Sequence, residues 1–412
     1  MPATIHSRPA ALRFIFVTVL LDMVALGIIV PVLPKLISGF LNGDAAKAAL
    51  AIGVFGTVWA LMQLVFSPLL GALSDRFGRR PVILLSNVGL GLDYIIMALA
   101  PNVVWLLVGR VLSGITSASI AASNAYVSDV TPAEKRSAAF GFMGSAFGIG
   151  FILGPALGGW LGQVDPRLPF WFAAGCSLLN AFYGWLVLPE SLPPEKRPEK
   201  FKFKGAHPIG ALKLLRSHPS LMALAAINFI GYIAHEVYPT VFVLYVMNRY
   251  GWNQGTIGAA LAVVGVSSIV ISAGVVGPVV KKLGERLSLL LGLALGAIGF
   301  FLFGWAGTGL VFLLAIPVNS LWGLAGPPAQ TIMTQAVPAT QQGELQGALG
   351  SLRSIAMLAG PGIFSGVYAA FAKGDAAVPG APWYLACGLL IVSMVLARAV
   401  MPAQKTAAAM TP

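Results

Sequence analysis

The chain has 412 residues, of which 57% are hydrophobic and only 10% charged, and its mean hydropathy is +0.84. A soluble chain carries about 25% charged residues, so composition excludes a soluble globular protein and points to the bilayer. The formal net charge of +12 does not mark a nucleic-acid binder, because the basic residues sit in short loops between apolar runs, with no basic patch and no aromatic platform.

Twelve apolar runs follow in order, near 12–34, 48–73, 81–100, 103–126, 137–160, 168–189, 217–247, 255–280, 287–306, 309–335, 343–372 and 382–401. These are spans 1 to 12, each long enough to cross the ~30 Å hydrocarbon core. The first run holds Asp22 and continues through Pro31 without a small-residue cleavage site, which reads as a retained span and not a signal peptide. Cys176 and Cys387 lie in apolar runs and give neither a disulfide framework nor metal-ligand spacing. No nucleotide motif, metal cluster or nucleophile–base constellation is present, so neither an enzyme, a cofactor nor direct ATP coupling is expected.

The order of polar loops repeats with one offset. Gly277-Pro-Val-Val-Lys-Lys-Leu-Gly-Glu-Arg286 follows the similar loop Gly71–Val82 by 206 residues. The same shift relates Pro132 to Pro338, Gly141 to Gly347, Gly144 to Gly350, Gly154-Pro155 to Gly360-Pro361, and Asp22 to Asn228. The fold class predicted is therefore all-α, twelve transmembrane helices in two pseudo-symmetric six-helix bundles, a plan known for secondary transporters. The bundles are 1–189 and 217–412, joined by a linker, 190–216, rich in Pro, Glu and Lys. With the Gly71–Val82 loop in the cytoplasm, that side holds 19 of the 26 basic residues. The other side holds Lys35, Lys47, Arg167, Arg249 and Lys373. The asymmetry places both termini inside.

Several residue groups carry chemistry. In Gly71-Ala-Leu-Ser-Asp-Arg-Phe-Gly-Arg-Arg-Pro-Val82, the charged side chains Asp75, Arg76, Arg79 and Arg80 are squeezed between two spans. Gly71 and Gly78 allow the tight turn, and Pro81 suits the first turn of the next helix. Asp22 lies nine residues beyond Arg13, ~14 Å along a helix. A carboxylate at that depth must face water, find a partner or take up a proton, which suits proton coupling; the competing reading is a packing aspartate with a fixed hydrogen bond. Asp93 in span 3 and Arg110 in span 4 stand on consecutive helices joined by the short turn at Pro101-Asn102. They are expected to form a buried pair, either a proton-linked sensor or a permanent structural bridge. His235 and Glu236 in span 7 add two titratable groups just before Pro239, which should kink the helix; they serve coupling or substrate, or sit at an outer rim. Candidate pocket residues near mid-span are Gln63, Asn124, Tyr126, Asn228, Tyr232, Asn319, Trp322, Gln330 and Arg353. All-round hydrophobicity hides which of them face inward.

With these motifs in place, the chain resembles the major facilitator superfamily, in its drug–proton antiporter branch, and is similar to the tetracycline-resistance efflux pumps. The resemblance covers nearly the whole chain. It rests on Leu21–Pro34, on the Gly71–Val82 signature loop, on Gly109-Arg110-Val-Leu-Ser-Gly114, and on Gly343-Glu-Leu-Gln-Gly347. It rests also on the fifth-span run of Gly144, Gly148, Gly150, Gly154, Pro155, Gly158 and Gly159, associated with antiporters; these glycines equally allow close helix packing. The resemblance implies that Asp75 meets the start of span 11 and that Arg79 or Arg76 pairs with Asp129, forming a gate. It implies a proton-coupled antiporter that exports a small amphiphilic drug-like compound, with tetracycline among the candidates. The expected partners are that substrate, protons and the bilayer, for a monomer in a bacterial inner membrane. An importer of the same fold is the nearest alternative, and a transport-inactive sensor the alternative from another class. One departure is that Leu293–Phe300 in span 9 carries no acidic residue where those pumps have one, while Arg353 stands where they have a small polar residue.

Overall fold

The computed structural model describes residues 9–117, 119–132, 135–197, 215, 219–338, 341–372 and 377–400. All regular structure among them is helical. Eleven helical segments are long and apolar enough to cross a membrane: Ala11–Phe40, Ala45–Phe77, Arg79–Leu99, Val103–Val130, Ala138–Val164, Leu168–Val187, Leu221–Tyr250, Gln254–Trp305, Gly309–Gln335, Glu344–Phe371 and Ala381–Val400. The eighth is 52 residues long, ~78 Å at 1.5 Å per residue and more than twice the core. Gly284, with φ 75° and ψ 169°, interrupts it where the sequence puts the loop between spans 8 and 9. Most of the predicted linker, including its Lys-Phe-Lys-Phe-Lys run, and both chain ends lie outside the described residues.

Local chemistry explains the helix boundaries. Asp44 opens span 2 by accepting from the N–H groups of Ala46 at 3.0 Å and Lys47 at 3.2 Å, and Asn102 does the same for span 4. Gly78, at φ 106°, ends span 2 and lets span 3 start at Arg79. Span 7 is two helices, Pro219–His235 and Val237–Tyr250, with Glu236 in the break. Pro239 has no N–H to offer the His235 carbonyl four residues back, so the ladder fails one turn before the proline. Glu236 N–H bonds instead to Ile233 O at 3.0 Å. Span 10 is broken by a 3₁₀ turn at Leu321–Leu324, just ahead of Pro327 and Pro328, and span 8 by a π turn at Ile271–Val275.

The chain divides into two compact units. One comprises Met1–Ala206, Val237–Val266 and Met357–Pro379; the other His207–Glu236, Ser267–Ala356 and Gly380–Pro412. The first unit thus combines spans 1 to 6 with those halves of spans 7, 8 and 11 that lie away from the Gly71–Val82 loop. Within it, span 5 runs against span 1 at backbone distance. A Cβ placed at Gly154 would lie 2.7 Å from Gly27 Cα, one at Gly158 would overlap the Ile28 carbonyl, and one at Gly159 would overlap the Gln254 carbonyl of span 8. Lipid supplies no hydrophobic drive between helices, so small residues that bring backbones together are what hold such a seam. Polar bonds edge it. Lys35 Nζ donates to Gln254 Oε1 at 3.0 Å and Gln163 Nε2 to Asn253 Oδ1 at 3.2 Å; a separate contact joins spans 2 and 11, where Thr57 Oγ1 donates to Leu358 O at 3.2 Å.

The second unit has an aromatic core of Phe300, Phe303, Phe312 and Trp383, all fully buried, with Phe303 and Phe312 stacked at 4.4 Å.

Gly144 meets nothing within 4 Å of its virtual Cβ, which separates it from Gly158. Gly158→Ala should cost about 1–3 kcal/mol by overpacking, whereas Gly144→Ala should be neutral. Thermal unfolding of both variants in detergent checks this, and equal melting temperatures for the two would contradict the seam.

Candidate functional site

Arg79 is the centre of the signature loop. Its Nη1 donates to Asp75 Oδ1 at 2.5 Å and to Ser74 Oγ at 3.2 Å, and its Nε donates to Asp129 Oδ2 at 3.1 Å. Of the two arginines expected to reach Asp129, Arg79 does so; Arg76 is exposed and lies over the Phe77 ring at 5.5 Å. Gly71 lies in open space. The loop has a further member that sequence reasoning treated only as linker. Glu190 caps span 3 by accepting from Arg79 N at 2.9 Å and Arg80 N at 3.3 Å, and it pairs with Arg197 at 3.7 Å. A carboxylate at a helix N-terminus is favoured by the free N–H groups and the helix dipole. Gly78 leaves the space for it, since a side chain there would overlap the Glu190 carboxylate.

Deeper in the same unit, Asp22 is buried on span 1. Asn180 of span 6 donates its Nδ2 to Asp22 Oδ1 at 2.8 Å and to Thr18 O at 2.9 Å. Asn180 was not among the sequence candidates, although an amide inside an apolar span is a signal in its own right. Asp93 is wholly buried on span 3, with Arg110 and Ser113 as its polar neighbours. Asp93 and Arg110 interact electrostatically, yet no contact of 4.0 Å or less joins them among the described residues, and the Arg110 guanidinium lies 5.3 Å from the centre of the Trp59 ring. The close pair expected from sequence is thus a buried carboxylate and a half-buried guanidinium without a direct bridge among the described residues. The reason is local: Trp59 of span 2 offers the cation an aromatic face. Tyr94 stands within electrostatic range of Asp22, Asp93 and Arg110 together.

The second unit gathers another group. His235 and Glu236, at the break in span 7, both lie within electrostatic range of Arg353 of span 11. The His235 ring is 6.0 Å from that of Trp322, which sits on the broken turn of span 10 and packs on Phe300 at 5.5 Å. Both His235 and Arg353 are exposed. Asn228 donates to Leu224 O at 3.0 Å and faces Met333 Sδ at 3.6 Å. Asn319 is buried and donates to Gly296 O at 3.2 Å, which makes it a staple between spans 9 and 10. Tyr232, Gln330 and Gln63 are half-buried, and Asn124 is exposed. In the fifth-span run, Gly150 meets span 1 at Met23 and Val24, Pro155 turns its carbonyl to Gly258, and Gly148 is half-buried.

Helices interrupted at membrane depth, with ionisable side chains at or beside the interruptions, are the build of secondary transporters. Comparison with known proteins gives the family. The model of the Major Facilitator Superfamily matches residues 15–361. The tetracycline resistance protein of class C from Escherichia coli is 37% identical over 381 residues, which is 92% of this chain and 95% of that protein. The class G protein from Vibrio anguillarum is 38% identical over 377 residues, 89% of this chain and 93% of that one. The crystal structure of the human organic anion transporter MFSD10 superposes with a TM-score of 0.69 at 24% identity, covering 95% of this chain and 100% of that chain, and speaks for the fold. The chain belongs to the Major Facilitator Superfamily and is a multi-pass membrane protein.

The Asn180–Asp22 bond can be measured. Asn180→Leu should cost about 1–3 kcal/mol, because it leaves a buried acceptor without this donor. In a cycle with Asp22→Leu, the double variant should lose less than the sum of the two single losses. Denaturant unfolding in detergent micelles reads this out, and strictly additive losses would contradict the bond.

Proposed function

We propose that the protein is a proton-coupled antiporter that exports a small amphiphilic compound, with tetracycline the first candidate. The observation that carries this reading is Asp22, a carboxylate held inside the membrane on span 1, which with span 8 is one of the two helices that the glycine ridge of span 5 touches at backbone distance. A group that gains or loses a proton there sits on a helix packed against span 5, whose adjoining face meets span 8 of the other sequence half, the contact that must part to let substrate out. The names of the two sequence relatives support the substrate class, since each is a tetracycline resistance protein.

In this reading Asp22, Asp93 and Arg110 handle protons in the first unit. His235, Glu236, Trp322 and Arg353 handle substrate, with His235 and Glu236 also open to protonation. The absence of an acidic residue in Leu293–Phe300, together with Arg353, turns that side toward the anionic part of an amphiphile. Asp75 exchanges between Arg79 and the N–H groups at the start of span 11 as the sequence halves 1–189 and 217–412 rock, and the pair of Arg79 with Asp129 holds the loop in register. The protein works as a monomer in an inner membrane, with both termini in the cytoplasm.

Proteoliposomes with an internal pH dye test this. Under an imposed proton gradient, tetracycline should drive proton flux in the wild type, and Asp22→Asn should reduce that flux to the level of empty vesicles. Flux with sugars or organic acids and none with any drug would move the protein to nutrient import. Full flux in Asp22→Asn would remove Asp22 from the proton path.

A further inference from the structure

At the end of the first unit that carries the signature loop, the start of span 1 and the end of span 6 enclose a cavity of about 350 Å³. Its walls are apolar, with Phe14, Leu186, Leu188 and Pro189 among them, and among the described residues the charged one lining it is Arg80. Arg80, like Arg76, takes no part in the pairs of Arg79 with Asp75 and Asp129. Among the described residues its Nη2 donates to the Trp185 carbonyl and its Nε meets no acceptor. Glu190 takes the main-chain N–H of Arg80 and pairs with Arg197. Among the described residues no carboxylate lies within 4.0 Å of the Arg80 guanidinium. Among the described residues, a cation therefore faces an apolar cavity with no carboxylate to pair it.

The surroundings say what kind of molecule reaches it. Leu179, Phe182, Trp185 and Leu186 recur at helical spacing on span 6 and are 66%, 56%, 60% and 60% exposed. In a multi-pass protein this stripe faces acyl chains, and a Trp in it sits at the level of the headgroups. Arg13, beside Phe14 in the chain, is also exposed. An occupant must present an anion to a guanidinium fork and hydrocarbon to the walls and the stripe. Arginine binds phosphate oxygens in a planar, two-pronged way that suits a phosphodiester.

We propose that this cavity binds an anionic phospholipid, its phosphate on Arg80 and one acyl chain along Leu186, Phe182 and Leu179. Bound there, the lipid joins the start of span 3 to the end of span 6, one residue from Arg79. The loop's ion-pair network would then be sensitive to the composition of the membrane.

The test is native mass spectrometry of the full chain in detergent, titrated with dioleoyl phosphatidylglycerol or with dioleoyl phosphatidylcholine. Wild type should prefer the anionic lipid by about fivefold, the weight of one surface arginine. Arg80→Gln should lose that preference, and Arg76→Gln, a loop arginine outside the cavity, should keep it. Leu186→Trp, which fills the cavity and leaves the charge, should weaken binding of the anionic lipid as well, so the result does not hang on one variant. Inorganic phosphate and glycerol 3-phosphate at millimolar concentration should not displace the lipid. Displacement by either would make this a soluble-phosphate site and overturn the lipid assignment. Equal binding of the two lipids by wild type, or an unchanged preference in Arg80→Gln, would overturn the site itself.

Discussion

At Gly154 and Gly158, span 5 lies against span 1 with no side chain separating the two backbones. In a bilayer this is a source of cohesion in itself, because neighbouring helices gain dispersion and give up only equivalent contacts with lipid. Position on this ridge decides what each glycine does. Gly154 and Gly158 touch span 1, and Gly159 on the adjoining face touches span 8, so a single helix joins spans from both sequence halves inside one compact unit. The polar bonds of Lys35 and Gln163 rim that contact and do not fill it. A seam of this kind has two arrangements, packed or parted, since a close-packed interface does not deform by degrees.

The ionisable groups are distributed in keeping with that seam. At the loop end, charges are spent on one another: Arg79 with Asp75 and Asp129, Glu190 with Arg197 and with the first N–H groups of span 3. At membrane depth compensation is thinner. Asp22 has an amide donor in Asn180, while Asp93 and Arg110 are neighbours that do not touch. Groups held this way change charge or partner at smaller cost than a closed salt bridge, whose breaking strands a buried charge. Spans 7, 8 and 10 are interrupted partway along their length. In spans 7 and 10 the interruptions put His235, Glu236 and Trp322 on loosened turns.

The apolar runs, the signature loop and the proline-driven break of span 7 were legible in the sequence, because each depends on residues a few positions apart. The Gly284 turn was legible only as a short polar loop, and helical geometry carries nearly through it. Partners were the hidden part. Asn180 meets Asp22 across 158 positions, and Trp59 comes to Arg110 from another span. When every face of a helix is apolar, no periodicity says which neighbour a side chain will find. The same blindness made Asn319 look like a pocket residue although it bonds to the backbone of span 9, and made Gly144 and Gly158 look equivalent although one is free and the other jammed.

If exchange proceeds by parting the seam, fixing it must stop transport. Gln163 and Asn253 face each other across it at 3.2 Å. In a variant with Cys176 and Cys387 replaced, Gln163→Cys and Asn253→Cys can be joined under oxidation, and drug-driven proton flux measured before and after. Flux that disappears on cross-linking and returns on reduction is the predicted result. Undiminished flux with the cross-link intact would show that the seam does not open during transport.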